Sequence, residues 1–336
     1  MKHANIKRSN VGPFEAFVLE TESLRAVVLP ALGARVWELE DKVRGRQWIW
    51  NRGLANLRSQ PVGVSYDEVW AGGWEELFPN DAAGPFEGRV LPDHGEWWAT
   101  PWEVSELVDG DEPRLRLKAR LNVVRASCTK EFQLLADGAT LAIRYGIRSE
   151  EDQPFHFLFK QHLPIALSPD CSLQLPGGAA RAVDPSFGTR VTDTAEFAWP
   201  YAPCQGQIAD LRQIPDGSSD QQEFLYVRNL PESWCGVDDQ RAGASIRMHF
   251  SPGELPYVWL FLTYGGWRGY YTAVLEPCTN LPKELSEAVR IGRSARLDPG
   301  QEFRTQVAVT VSSLLPCTEF APHNMRIRPT PHGDTS

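Results

Sequence analysis

Three short segments hold the side chains best suited to moving protons: LPDHGEWW at 91–98, FHFLFKQHLP at 155–164 and TAVLEPCTN at 272–280. They supply His94, His162 and Glu276, each at the end or on the open face of a predicted strand. An imidazole that gives a proton, opposite a carboxylate that takes one, is the pair needed to open and reclose a sugar hemiacetal.

Strand periodicity says how these groups are presented. In FHFLFKQH, a period of two sets Phe155, Phe157 and Phe159 on one face and His156, Leu158, Lys160 and His162 on the other. Pro164 then ends the strand near His162. In TAVLEPCTN, Glu276 shares a face with Thr272 and Val274, and Pro277 pulls the chain out of the sheet. A carboxylate closing an apolar run is costly to bury unless it is paired or hydrogen-bonded. His94 sits in a turn, after Pro92 and before the permissive Gly95. Upstream, AGGWEELFPND at 71–81 adds a Gly pair and the loop residues Asn80 and Asp81.

The elements that position these groups read as β throughout. SLRAVVLP (23–30), ARVWELED (34–41), RLRLKARLNVV (114–124), SCTKEFQLL (127–135), TLAIRYGIR (140–148), EFLYVRN (223–229), ASIRMHF (244–250), YVWLFLTY (257–264), YYTAVLEP (270–277) and EFRTQVAVTV (302–311) are short strands between turn signals such as ADGA and LDPGQ. RLRLKARL alternates charged and apolar residues, which predicts a half-buried strand. A short helix is predicted around 284–291. No βαβ alternation or fixed-period repeat appears. The expected fold is all-β, one large antiparallel β-sandwich over 15–315, with an N-terminal arm over 1–14 and an irregular tail over 316–336.

The 336 residues suffice for a large core. A net charge of −9 argues against nucleic-acid partners, which select basic patches. No signal-peptide h-region follows MKHANIKRSN, and no apolar run reaches membrane-spanning length. Six cysteines without a CxxC pair fit reduced thiols and a cytoplasmic protein. Among 12 tryptophans, Trp70, Trp74, Trp97, Trp98 and Trp102 fall near predicted loops, where flat rings stack on sugar C–H faces.

In order along the chain, these segments resemble the aldose 1-epimerase (galactose mutarotase-like) superfamily over roughly residues 15–312. VVLPALGARVWELED is similar to that family's early strand pair. GGWEELFPND…LPDHGEWWATPWEV is similar to its hexose-6-phosphate epimerase branch, FKQHLP and VLEP to its histidine and carboxylate segments, and LDPGQEFRTQVAVTV to its closing strand. The resemblance implies a galactose mutarotase-like supersandwich and an isomerase that needs no cofactor or metal. It implies Glu276 as the base taking the C1 hydroxyl proton, His162 as the acid at the ring oxygen and His94 as its assistant. It also implies Asn80, Trp98, Lys160 and Asp220 as substrate-binding residues, with Asp216 a second choice for the last. The expected partner is a small-molecule carbohydrate, with no nucleic acid and no membrane, bound by a monomer or homodimer. Where the phosphate-sugar branch carries two arginines, this chain has Ala71 and Trp98, leaving Lys160 to meet any anionic group.

Three other readings compete. One is a sugar-binding or regulatory module on the same fold without turnover. Another is a metal enzyme using His94, His156, His162 and Glu96, opposed by the roughly 20 Å that six strand residues put between His156 and His162. The last is a glycosidase pairing Glu75 or Glu76 with Glu276, which leaves both histidines without a role.

Overall fold

A computed structural model describes residues 4–110 and 113–314. Two large sheets dominate. One has eight strands in the order Cys171–Gln174, Trp234–Asp239, Ala244–Phe250, Glu302–Ser313, Thr140–Ser149, Ala126–Leu134, Arg114–Leu121, Glu103–Val108. The other has seven, in the order Phe197–Ala198, Ala179–Ala182, Gln221–Arg228, Tyr257–Tyr264, Tyr271–Cys278, Lys160–Ala166, Glu75–Leu77. The ladders of both are antiparallel.

Alternation decides which side chains go where. Arg114–Leu121 buries Leu115 and Leu117 while Arg116 and Lys118 stay exposed. From the seven-stranded sheet Leu163, Leu225, Leu260 and Leu275 point the same way, into one cluster with Leu115, Phe132, Ile143 and Val309 of the eight-stranded sheet. The main core therefore lies between the two sheets. The intervening residues Lys160, His162, Phe224, Trp259, Phe261 and Glu276 face the other side of the seven-stranded sheet, and that is where the site lies.

The N-terminal part departs from expectation. Asn5–Val11 pairs with Phe14–Glu20 along seven residues and forms the outer strand of a five-stranded sheet. The described part of the expected arm is therefore the first strand and the turn of a hairpin. The expected tail at 316–336 lies outside the described residues. FHFLFKQH also differs: it is two strands, Phe155–Phe157 in a small sheet with Ala295–Leu297 and Lys160–Ala166 in the large one. The break at Leu158 and Phe159 keeps the alternation but moves His156 away, and its Nδ1 meets Ser294 Oγ at 2.8 Å. The predicted helix is present as Leu285–Arg290. Among the described residues, no helix is long and apolar enough to cross a membrane.

Candidate active site

Register brings the three proton-transfer groups within reach. Lys160–Ala166 lies between the Glu276 strand and Glu75–Leu77, with Lys160 opposite Cys278 and His162 opposite Glu75. His162 Nε2 thus stands 3.6 Å from Glu276 Oε1, across more than a hundred residues of sequence. His94 arrives from a loop. Its φ of +59° and that of Gly95 at +72° turn the chain back, and its backbone N–H donates to Asp81 O at 2.8 Å. A Cβ on Gly95 would lie 2.2 Å from Phe78 O, so only glycine fits there.

His94, His162 and Glu276 line one cavity of about 200 Å³ with Tyr66, Asp67, Trp70, Asp81, Lys160, Phe187, Phe224, Phe261, Trp267 and Lys283. Its lining has two parts of different chemistry. One carries the charged groups. The other is a carbon panel in which the Phe187 and Phe224 rings lie 5.4 and 5.6 Å from Phe261, and Trp267 lies 5.2 Å beyond. Flat apolar faces beside hydrogen-bonding groups suit a pyranose, whose C–H faces are apolar and whose rim is polar.

The charged side is a buried network. Lys160 Nζ donates to Asp81 Oδ2 at 2.5 Å, lies 2.7 Å from Glu276 Oε2 and sits 4.3 Å over the Trp259 ring. Burial pushes the Glu276 carboxyl up to about 7 even though the Lys160 charge pulls it down. Burial also works against the charged form of His94. The Asp81 charge and a 2.7 Å hydrogen bond from Nδ1 to Asp93 outweigh it, so His94 is held above the usual histidine range. That bond ties up Nδ1 and leaves Nε2 for a ligand. His162 behaves oppositely: burial first, then the Lys160, His94 and Arg35 charges, drive it well below that range.

The tautomer of His162 follows from its neighbours. Tyr66 Oη has one proton and donates it to Glu75, which also pairs with Arg35. His162 Nδ1, 3.2 Å from the same oxygen, must then be the N–H donor, and Nε2 presents a lone pair toward Glu276. The Tyr66 ring stacks on His94 at 4.1 Å and meets His162 edge-on at 5.7 Å. One tyrosine thereby orients both imidazoles.

The other expected binding residues have different surroundings. Lys160 reaches the cavity, but its donors are taken by two carboxylates and a ring face, so it is not free for an anionic substrate group. Trp98 does not line the cavity; it packs edge-on behind Tyr66 at 5.0 Å. Asn80 is buried beneath the site, its amide donating to Ala82 O at 3.0 Å and Pro92 O at 2.7 Å and so clamping the loops that carry Asp81 and His94. Asp220 precedes Gln221–Arg228, six residues from Tyr226, which stands level with Trp259 and Glu276, and this separation is roughly 20 Å at strand rise. It does not line the cavity. Of the tryptophans expected to stack on sugar, Trp74, Trp97 and Trp102 belong to the main core and Trp70 alone lines the cavity.

The competing assignments also meet other partners. Glu96 accepts backbone N–H groups from Asn122, Val123 and Val124, and Glu76 pairs with Lys130 on the core side of the sheet. Among the described residues, no three His, Cys, Asp or Glu side chains are grouped to hold a metal ion.

Sequence reasoning missed Tyr66, Asp67 and Trp267. The first two lie on a single turn of helix, Tyr66–Val69, and Trp267 on the tight turn before Tyr271–Cys278, with no motif to mark either. Asp81 was visible as a loop residue beside Asn80, and only its pairing with Lys160 was hidden.

No protein-family model matches the chain, and no curated relative does. Solved structures do. A candidate aldose 1-epimerase from Klebsiella pneumoniae is 13% identical, with a TM-score of 0.66 over 89% of this chain and 79% of that one. A galactose mutarotase related enzyme from Lactobacillus acidophilus is 12% identical, with a TM-score of 0.62 over 89% and 98%. A galactose mutarotase-like protein from Clostridium acetobutylicum is 10% identical, with a TM-score of 0.64 over 93% and 99%. These likenesses bear on the fold and do not single out a hexose-6-phosphate branch within it. The chain has the all-β sandwich fold of these galactose mutarotase-like structures.

Proposed function

We propose that the protein interconverts the α and β anomers of a sugar by acid–base opening of the ring. The observation that carries this reading is the 3.6 Å approach of Glu276 Oε1 to His162 Nε2 on the charged side of the cavity, with His94 in the same lining. The two oxygens on an anomeric carbon lie close together, so a base for one and a partner for the other must themselves be close.

Glu276, with its carboxyl near 7, takes the hydroxyl proton from C1. The ring oxygen receives a proton as the C1–O5 bond breaks. The free aldehyde turns about C1–C2, and reclosure with the same groups in reversed roles gives the other anomer. The resting proton inventory favours His94 over His162 as the donor. His94 is the imidazole held toward its protonated form, with Nδ1 bonded to Asp93; His162 is held toward its neutral form, with a lone pair on Nε2. His162 then accepts a hydrogen bond from a substrate hydroxyl, and Glu276 keeps the proton it gathers until reclosure returns it to the aldehyde oxygen. This exchanges the acid and assistant roles that the family resemblance implied.

The sugar class follows from what remains available. Lys160 is committed to carboxylates, and Lys283, one third exposed and 3.9 Å from Glu284, is the other lysine lining the cavity among the described residues. A neutral aldose or one with a single acidic substituent fits this better than a phosphate bound by several arginines. The alternative is a binding module without turnover, favoured by the ion pair that already engages Glu276 Oε2.

NMR exchange between anomers, measured over neutral, carboxylated, sulfonated and phosphorylated aldoses, tests the proposal. At least one of them should exchange faster with protein than in buffer at the same pH. Saturable binding with no acceleration for any sugar in the panel selects the binding module.

A further inference from the structure

We infer that Lys160 is a positioning residue for the base: its ammonium holds Glu276 by Oε2, turns Oε1 toward the substrate and keeps the carboxylate ionised in a buried site. The inference rests on the epimerase reading for its consequence but not for its measurement. Lys160 has three close partners: a hydrogen bond, an ion pair and a ring face. Asp81 Oδ2 is at 2.5 Å, Glu276 Oε2 at 2.7 Å, and the face of Trp259 at 4.3 Å, on the strand beside Glu276. All three are buried, as is Lys160 itself. An ammonium so enclosed is engaged by its own neighbours. What it does is orient a carboxylate, because fixing one oxygen leaves the other with a defined direction, toward His162 Nε2 at 3.6 Å.

The arrangement also sets the charge balance. A buried carboxylate without a countercharge stays protonated and is no base at neutral pH. The groups that face Glu276 are Lys160 and His162 from the neighbouring strand, Asp81 and His94 from the two loops, Lys283 and Asp67 around the cavity, and the Cys278 thiol on its own strand. Lys160 lies against it directly. Asp81 competes for the same ammonium. The two neighbours therefore act on Glu276 with opposite sign, which a merely structural ion pair does not require.

The test uses the full-length protein with glutamate carboxyls labelled with 13C. The Glu276 signal is assigned by its absence in E276Q, and its chemical shift is titrated in wild type, K160M and D81N. The expected result is a midpoint raised by K160M and lowered by D81N. In K160M the rate at neutral pH falls about tenfold for each unit of upward shift and recovers as pH rises, because the base regains its charge. The sugar's KM changes less than kcat. K160R, which keeps the charge, should hold the midpoint nearer the wild-type value than K160M does. If K160M does not fold, the downward shift in D81N alone decides. A Glu276 midpoint unmoved in either variant, or moved the same way in both, overturns the inference. The titration needs no turnover, so it still answers if no sugar is epimerised, and that outcome would sink the epimerase reading alone.

Discussion

The molecule buries two lysine–glutamate pairs on opposite faces of one sheet edge, and they differ in what surrounds them. On the core side, Lys130 Nζ donates to Glu76 Oε2 at 2.6 Å and to Ala34 O at 2.9 Å, while Tyr145 donates to Glu76 Oε1 at 2.7 Å. Gln161 completes that network, accepting from Trp74 at 2.9 Å. On the cavity side, one residue along each strand, Lys160 serves two carboxylates at once and His162 leaves a lone pair unclaimed. Each lies against strands from the same Glu75–Leu77 and Lys160–Ala166 ladder. The core pair is closed, with a partner for each carboxylate oxygen. The cavity pair is open, with one ammonium between two carboxylates and a space beside it that a sugar can enter.

That contrast is broken most severely by removing Glu276. E276Q keeps the shape of the side chain and removes the base, so anomer exchange should fall by about 10²–10⁴-fold with sugar binding retained. Exchange NMR beside a binding titration checks both halves. An E276Q protein as fast as wild type would make the cavity pair no more than a second version of the core pair. The core pair should answer in the opposite way. K130M leaves Glu76 charged and buried, and should cost about 3–5 kcal/mol of stability in urea unfolding. E76L/K130M, which removes both charges, should recover most of that loss, with exchange activity near wild type in both proteins wherever they are folded.

The two faces were not equally legible in the sequence. The period of two in TAVLEPC and in FKQHLP put Glu276 and His162 on the side away from Leu275 and Leu163, because backbone pleat alone sets that alternation. The same rule gave RLRLKARL its buried leucines. What the pleat does not encode is which loop folds over which strand. Asp81 meets Lys160 across 79 residues, and Tyr66 meets His162 across 96, by contacts that no local spacing marks. Asp220 lies away from the cavity for a related reason: it is near the right strand in sequence but about six residues along the ladder from Glu276's level. The tryptophans misled because a large ring near a loop is as useful in a core as at a sugar. Trp97 packs on Trp102 at 4.5 Å in the interior, while Trp267, in an unremarked turn, reaches the cavity.

The pH dependence sharpens the comparison next. Glu276 is a base only when ionised, so kcat/KM should climb as pH rises through about 7. His94 is a donor only when protonated, and its affinity for the proton is above the ordinary histidine value, so a fall should follow at higher pH. The result is a bell whose low limb belongs to Glu276 and whose high limb belongs to His94. H94N should lower the rate by about 10²-fold and abolish the high limb. H162N should lower the rate and keep that limb. If H162N is instead the variant that loses it, the proton donor is His162, and His94 is its assistant.

The smallest expected change is the most informative about how the cavity is kept open. Tyr66 Oη is the one hydroxyl that touches both an inner ion pair, Arg35 with Glu75, and a cavity imidazole. Y66F deletes that oxygen and keeps the ring that stacks on His94 at 4.1 Å. Glu75 loses a donor but retains Arg35, and His162 Nδ1 loses its acceptor, so stability should drop by about 1–3 kcal/mol. The rate should drop by less than about tenfold, since no reacting group is removed. The decisive readout is the imidazole itself. In wild type, 15N NMR of His162 should show the proton on Nδ1; in Y66F, nothing prefers that nitrogen, and the Nε2–H form, donating to Glu276, should gain population. That shift would close the lone pair and convert the open pair toward the satisfied state of Lys130 and Glu76. A Y66F spectrum unchanged at His162 would mean that the tautomer, and with it the openness of the site, is held by the strands and not by this hydroxyl.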